Sequence, residues 1–300
     1  MHSSSSSQDS KATTDIKDLD ITTESNGDGK ASGHLTTQAN IPENIVKSAL
    51  ELKEICKKEN LALRNDFEAL RLATACRGDF GKMKKRIINL REFEAHHKLE
   101  ELSPEETWDY YHNELPGGFM SFIGKDRSGR AVMYADTANF YPSKIFKDEK
   151  LKRVMFRQFS LLMQASATHP GEVDQGFIIV MNCKGMAMKN VSITLQQEVA
   201  WLLQSGYPIR LCQVVFFNAN SITRWTLKAC KVFLTRKMQD RIAIINGTEA
   251  IQELISAESL PESQQLGTQP TAQVRTTHLE RVKAFYDFEP TFTLPKSSAA

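Results

Sequence analysis

The chain has 300 residues, of which 41% are hydrophobic and 25% charged, with a formal net charge of +2. That is the composition of an ordinary globular protein, long enough to bury about 70% or more of its unfolded surface. The near-neutral balance excludes a strongly basic nucleic-acid binder, and no stretch approaches the roughly 18 unbroken apolar residues of a membrane span.

In chain order, residues 1–41 are Ser, Thr, Asp and Gly with almost no periodic apolar positions. Such a segment buries too little to offset its ordering entropy, and a disordered tail is expected. Its start, Met1-His2 followed by five serines, lacks the apolar stretch of a secretory signal. Residues 42–115 read as a helical lobe. Ile45, Ala49, Leu52 and Cys56 form one stripe, Phe67, Leu70, Leu72 and Ala75 a second, and Asp79 caps a third helix carrying Met83, Ile87, Leu90 and Phe93. After Pro116-Gly117-Gly118 the pattern changes, and 116–267 reads as an α/β lobe. Phe119–Ile123 and Ala131–Ala135 flank the turn Asp126-Arg127-Ser128-Gly129 as a hairpin. A helix is expected over Asp148–Thr168, and a strand buried on both faces over Gly176–Met181. A helix over Thr194–Ser205, a strand over Leu211–Phe217, a helix over Ser221–Leu234 and a strand over Arg241–Ile245 follow. This alternation predicts a mixed, largely parallel sheet. Residues 268–300 read as a mostly flexible tail broken by one amphipathic patch, Leu279, Val282, Phe285 and Phe288. That patch is a short helix docking on the body or on a membrane surface.

Enzyme signatures are absent: the chain has no GxSxG, HExxH, GxGxxG or GxxxxGK[ST]. Asp79-Phe80-Gly81 reads as a chance tripeptide at a helix start, and His96-His97 as a solvated pair, since neighbours on a helix face different ways. The run Lys82, Lys84, Lys85, Arg86 reads as a solvated face. The five cysteines (Cys56, Cys76, Cys183, Cys212, Cys230) are scattered without a CxxC pair, the pattern of reduced thiols with no zinc site.

Val199–Thr248 holds seven basic residues and one acid, Asp240, so the charge is local. The helix predicted from Ser221 carries an apolar stripe (Ile222, Trp225, Ala229, Val232) beside a basic one (Arg224, Lys228, Lys231). Two readings stand: a surface helix with its apolar stripe in the core, or an interfacial helix meeting an anionic membrane. In the second, each basic group contributes on the order of 1 kcal/mol.

Several ordered motifs resemble those of the CRAL-TRIO lipid-binding family, which includes secretory phosphatidylinositol/phosphatidylcholine transfer proteins. Leu70–Phe80 with Lys84-Lys85 is similar to "LRARKFDxxKA", and Asp126–Val132 to "DKxGRPV". Gly176–Gly185 resembles "GxxxIxDxxG", Tyr207–Leu211 "YPERL", Phe217–Asn220 "INAP", Lys231–Leu234 "KPFL", and Leu260-Pro261-Glu262 the terminal "LPxxxGG". Asn182, Asn220, Val232 and Ala131 depart from the pattern, and Gly78 is an insertion. The resemblance implies a helical N-terminal lobe, a sheet flooring an apolar lipid pocket, and a gate helix after the "INAP" strand. Ile222, Arg224, Trp225 and Lys228 would then meet the membrane. It also implies a headgroup site of Glu198, Lys231 and Arg77, where a carboxylate takes sugar hydroxyls and the cations take phosphate.

A ligand with two acyl chains of about 30 methylenes would cost roughly 24 kcal/mol to expose to water, so it needs a continuous apolar cavity. Phe177, Ile179, Val214 and Phe216, or their alternate neighbours, are expected to line it; both strand faces are apolar, so the pattern leaves the face open. The expected protein is a cytoplasmic monomer, peripheral at membranes, that binds and transfers or presents a phospholipid such as phosphatidylinositol. It needs no cofactor beyond that lipid, no catalysis and no nucleic acid. The alternative is a regulatory module that binds phosphoinositide headgroups or a small GTPase without transferring lipid.

Overall fold

The computed structural model describes residues 41–114, 120–262 and 265–295; apart from Ile41, the segment expected to be a disordered tail lies outside them, as do Pro116–Gly118. α1 (Glu43–Glu59) ends at Asn60, whose left-handed backbone (φ 53°) closes it. Its buried stripe is Val46, Ala49, Leu52 and Cys56, so the seam enters at Val46 while Ile45 is half-buried. α2 (Asp66–Cys76) is capped by the Asn65 side chain, which accepts the Glu68 N–H at 2.9 Å. α3 (Phe80–His96) is capped as its sequence predicts, with Asp79 accepting the Lys82 N–H at 3.0 Å, and it buries Met83, Ile87, Leu90 and Phe93. α4 (Pro104–Glu114) completes the helical lobe.

β1 (Met120–Lys125) and β2 (Ala131–Asp136) form the expected antiparallel hairpin. The Asp126 carboxylate holds its turn, accepting the Ser128 and Arg130 N–H groups at 2.9 and 2.8 Å and Arg130 Nε at 2.7 Å. α5 (Pro142–Ile145), α6 (Glu149–Gln164) and α7 (Pro170–Gln175) lead to β3 (Phe177–Asn182). Gly176, at φ 73°, links α7 to that strand, where a Cβ would collide with the Arg210 carbonyl oxygen. The remaining elements are α8 (Ile193–Trp201), β4 (Leu211–Phe217), α9 (Ser221–Cys230), α10 (Arg236–Gln239), β5 (Ile242–Ile245), α11 (Thr248–Leu254) and α12 (Thr271–Phe288).

The sheet runs β1-β2-β3-β4-β5, with every pair after the first parallel. Strand alternation sorts the apolar runs onto two faces. Ile178, Val180, Val215 and Phe217 pack under Ile251, Ile255 and Leu260. Phe177, Ile179 and Val214 join the main core, which also contains Phe67, Leu70 and Phe156. Both predicted lobes therefore share one core, and Ala39–Ala300 is one unit.

Four local differences from the sequence reading have physical reasons. α8 runs on into a π-helical turn, Leu202–Gly206. α9 stops at Cys230, and Lys231–Phe233 form a 3₁₀ turn. His97 is not solvated: its side chain is only 9% exposed, tilted against the rings of Phe93 and Phe156, because α3 turns it under the core. Most of 268–295 is not flexible either, since α12 spans 18 residues and buries His278, Val282 and Phe285. Phe285 and Phe288 reach Phe67 at centroid distances of 6.3 and 5.2 Å, a contact between chain ends that local patterning does not reveal.

Candidate functional site

The same alternation leaves one stretch of the sheet unfilled. Ile179 and Met181 of β3, Val214 and Phe216 of β4 and Ile242 of β5 floor an apolar cavity of about 170 Å³. α8 supplies Leu195, Val199 and Ala200 as one wall, and Phe159 of α6 closes another. Phe177 lies on the same sheet face but is fully buried in the core, outside the cavity lining. The structure thus decides the face that the pattern leaves open.

α9 is the roof. Asn220 caps it, accepting the Thr223 N–H at 3.0 Å and donating to the Met186 carbonyl at 2.8 Å, so its N-terminus is anchored. Thr223, Thr226, Leu227 and Cys230 face the cavity. The Thr226 hydroxyl is buried there without a hydrogen-bond partner, and burial pushes the Cys230 thiol up to about 11. The predicted apolar stripe is therefore not the buried one. Trp225 is 50% exposed and Val232 88% exposed, beside exposed Arg224 and Lys228, while Ile222 and Ala229 are half-buried. Two threonines, a cysteine and Leu227 cover the cavity, and Trp225 and Val232 of the outer side stand in water.

Beside this cavity lies a second one, polar and larger, of about 620 Å³. Arg77, Arg86, Arg210, Lys237 and Arg241 line it, with Asp174, which is ion-paired to Arg210, as its one acid. Arg77 reaches the cleft because it ends α2 in a left-handed conformation (φ 54°). Arg86 is turned in from the run predicted to be solvated and donates to the carbonyls of Gln204 (2.8 Å) and Tyr207. The cations feel one another. Partial burial, then Arg241, Arg77, Arg86 and Arg210, hold the Lys237 pKa below its ordinary value. Burial lowers Arg241 as well, and Arg210 and Arg77 add to the effect. Leu203 and Met238 line both cavities and form the partition between them.

Of the residues implied as a headgroup set, only Arg77 lies in this cleft. Glu198 sits on α8, 3.4 Å from His97 Nε2, and Lys231 is exposed where α9 ends; neither lines either cavity. The sequence does not mark Arg86 as a cleft residue, because a lysine-rich helix face hides one inward arginine. Among the described residues no His/Cys/Asp/Glu group is arranged to hold a metal ion, and no helix is long and apolar enough to cross a membrane.

Comparison with known proteins gives concordant results. No curated protein sequence matches the chain. The fold is similar to the crystal structure of Sfh5, with a TM-score of 0.55 and 14% identity over 83% of this chain and 97% of that one. The model of the CRAL/TRIO domain matches residues 115–265, which hold the whole sheet, the apolar cavity and the α9 roof. The chain belongs to the CRAL/TRIO domain family, whose members bind hydrophobic lipid ligands.

Proposed function

We propose that this protein binds one anionic phospholipid, with phosphatidylinositol the reading the chemistry favours, and transfers or presents it between membranes. The observation that carries this reading is the shared partition. A cleft lined by five cations and an apolar cavity meet at Leu203 and Met238, so one amphiphile can place a phosphate in the first and its chains in the second. The exposed outer side of α9 and the turn after it, with Trp225 and Val232 near Arg224 and Lys228, supports transient contact with an anionic membrane.

At about 170 Å³ the apolar cavity is below the roughly 300–1,000 Å³ of ordinary ligand pockets, so loading requires α9 to move outward. The same volume favours a second reading, a headgroup-binding regulatory module that carries no lipid. Solvent extraction of the purified protein separates the two, because a carrier yields a stoichiometric lipid and the module yields none. For the main reading, transfer of labelled phosphatidylinositol between liposomes is expected in the parent protein. It should drop at least about tenfold in the triple variant Arg77→Ala, Lys237→Ala, Arg241→Ala, since hydrogen bonds to charged groups contribute about 1.5–3 kcal/mol each. Undiminished transfer by the triple variant would remove the cleft from the mechanism. Equal transfer by Glu198→Ala and Lys231→Ala would leave those two residues outside it.

A further inference from the structure

The partition between the two cavities carries a hydrogen-bond relay built on Gln204. This residue lies in the π-helical turn Leu202–Gly206 that follows α8, and π turns mark places where a helix departs from its regular ladder. The Gln204 amide reaches across to the end of the roof. Its Nε2 donates to the Phe233 carbonyl at 3.2 Å and to the Ala200 carbonyl at 3.0 Å, and its Oε1 accepts the Thr235 N–H at 2.7 Å. Phe233 and Thr235 bracket the point where the chain leaves α9 and its 3₁₀ turn. One side chain thus fixes the C-terminal hinge of the roof from both polarities.

The backbone of that same turn is held from the cleft side. Arg86 donates to the Gln204 carbonyl at 2.8 Å and to the Tyr207 carbonyl, and Asn89 donates to the Ser205 carbonyl at 3.1 Å. Arg86 is also one of the five cations lining the cleft. A guanidinium bound to neutral carbonyls makes stronger hydrogen bonds to a charged phosphate oxygen. A phosphate in the cleft therefore competes with the π turn for Arg86.

We infer that Gln204 is a positioning residue, a latch that holds α9 shut over the apolar cavity and is released when a phosphate-bearing anion draws Arg86 away from the π turn. The inference rests on the proposed cleft reading, and it adds the route from headgroup recognition to opening. The anion is a phosphate ester, whether free or on a lipid headgroup.

The test follows amide exchange over residues 221–235 by mass spectrometry, with binding measured on the same samples. The probes are inositol hexakisphosphate, phosphatidylcholine vesicles, and the same vesicles containing phosphatidylinositol. In the parent protein the phosphate probe is expected to speed exchange of this segment about tenfold, the loss of one to two ordinary hydrogen bonds. Opening by hexakisphosphate alone assigns the trigger to free phosphate, and opening only by the phosphatidylinositol vesicles assigns it to the headgroup. In Gln204→Leu the segment exchanges faster with no probe, and added anion changes it little, while α6 exchange stays as in the parent.

Thr235→Pro is the second variant, since it deletes the N–H that Gln204 accepts and keeps the Gln204 side chain. Position 235 has φ −62° and position 234 is extended, both of which a proline permits. If neither variant alters exchange of 221–235, or if bound anion speeds it equally in parent and Gln204→Leu, the latch is overturned. If the parent protein binds the probes and its exchange does not change, the coupling is wrong while the cleft stands. If the parent binds no phosphate probe at all, the cleft reading falls, and the coupling with it.

Discussion

Two single residues, His278 and Glu172, attach α12 to the body; burial works against the charged form of both, and Glu172 has partners that outweigh it. His278 lies against Trp108 (4.6 Å) and Phe122 (5.9 Å), and its Nδ1 accepts the Phe122 N–H at 3.3 Å. Burial, reinforced by neighbouring His112, lowers its pKa to about 3. For Glu172 burial works against the charged form. Arg281 at 2.8 Å, the Thr168 N–H and Lys125 outweigh it and hold the carboxyl at about 2. Both pKa values are lower in the folded state than in the unfolded chain, so both groups stabilise at neutral pH and lose that stabilisation on acidification. The His278 contribution fades as pH falls from about 6.5 to about 3, and that of Glu172, on the order of 3 kcal/mol, from about 4.5 to about 2. Urea midpoints measured against pH are expected to decline through both windows. His278→Leu should flatten the upper one, and an unchanged slope in that variant would refute the assignment.

α9 shows how an element's composition misleads about its orientation. The stripe Ile222, Trp225, Ala229, Val232 has the period of a core face, yet the cavity is covered by Thr223, Thr226, Leu227 and Cys230. Threonine and cysteine score as weakly polar in a pattern, but inside a partly filled cavity they cap its rim without occupying it. The exposed Trp225 and Val232 then form the surface that the proposed function turns toward a membrane. The double variant Arg224→Glu, Lys228→Glu is expected to lower affinity for anionic vesicles by at least about thirtyfold, at about 1 kcal/mol per basic group. Its binding to zwitterionic vesicles should change little. Retained affinity for anionic vesicles would show that another face makes the contact.

At the scale of the whole molecule, the chain closes on itself. Phe285, near the C-terminus, meets Phe67 of the second helix, and Arg281 meets Glu172 ahead of the third strand. One core runs through helical and α/β parts alike, so calorimetry is expected to show one cooperative transition. Phe285→Ala should lower its midpoint by roughly 10 °C, because a lost core aromatic costs about 3–5 kcal/mol. Two separate transitions, or an unmoved midpoint, would contradict a shared core.

Residues close in the chain determined much of this protein through the sequence itself. The helix cap at Asp79, the Asp126 turn, the period-two strands and the ordered motifs all act within a few residues, and so the fold class was legible. The tertiary structure alone decided the candidate site. Arg77, Arg86, Arg210, Lys237 and Arg241 come from distant elements, and only packing brings their charges around one cleft. The sheet face that lines the cavity was likewise fixed by what covers the other face, Ile251, Ile255 and Leu260, because both faces are equally apolar. A pattern records which side chains avoid water; which neighbours they avoid it with depends on contacts between residues far apart in the chain.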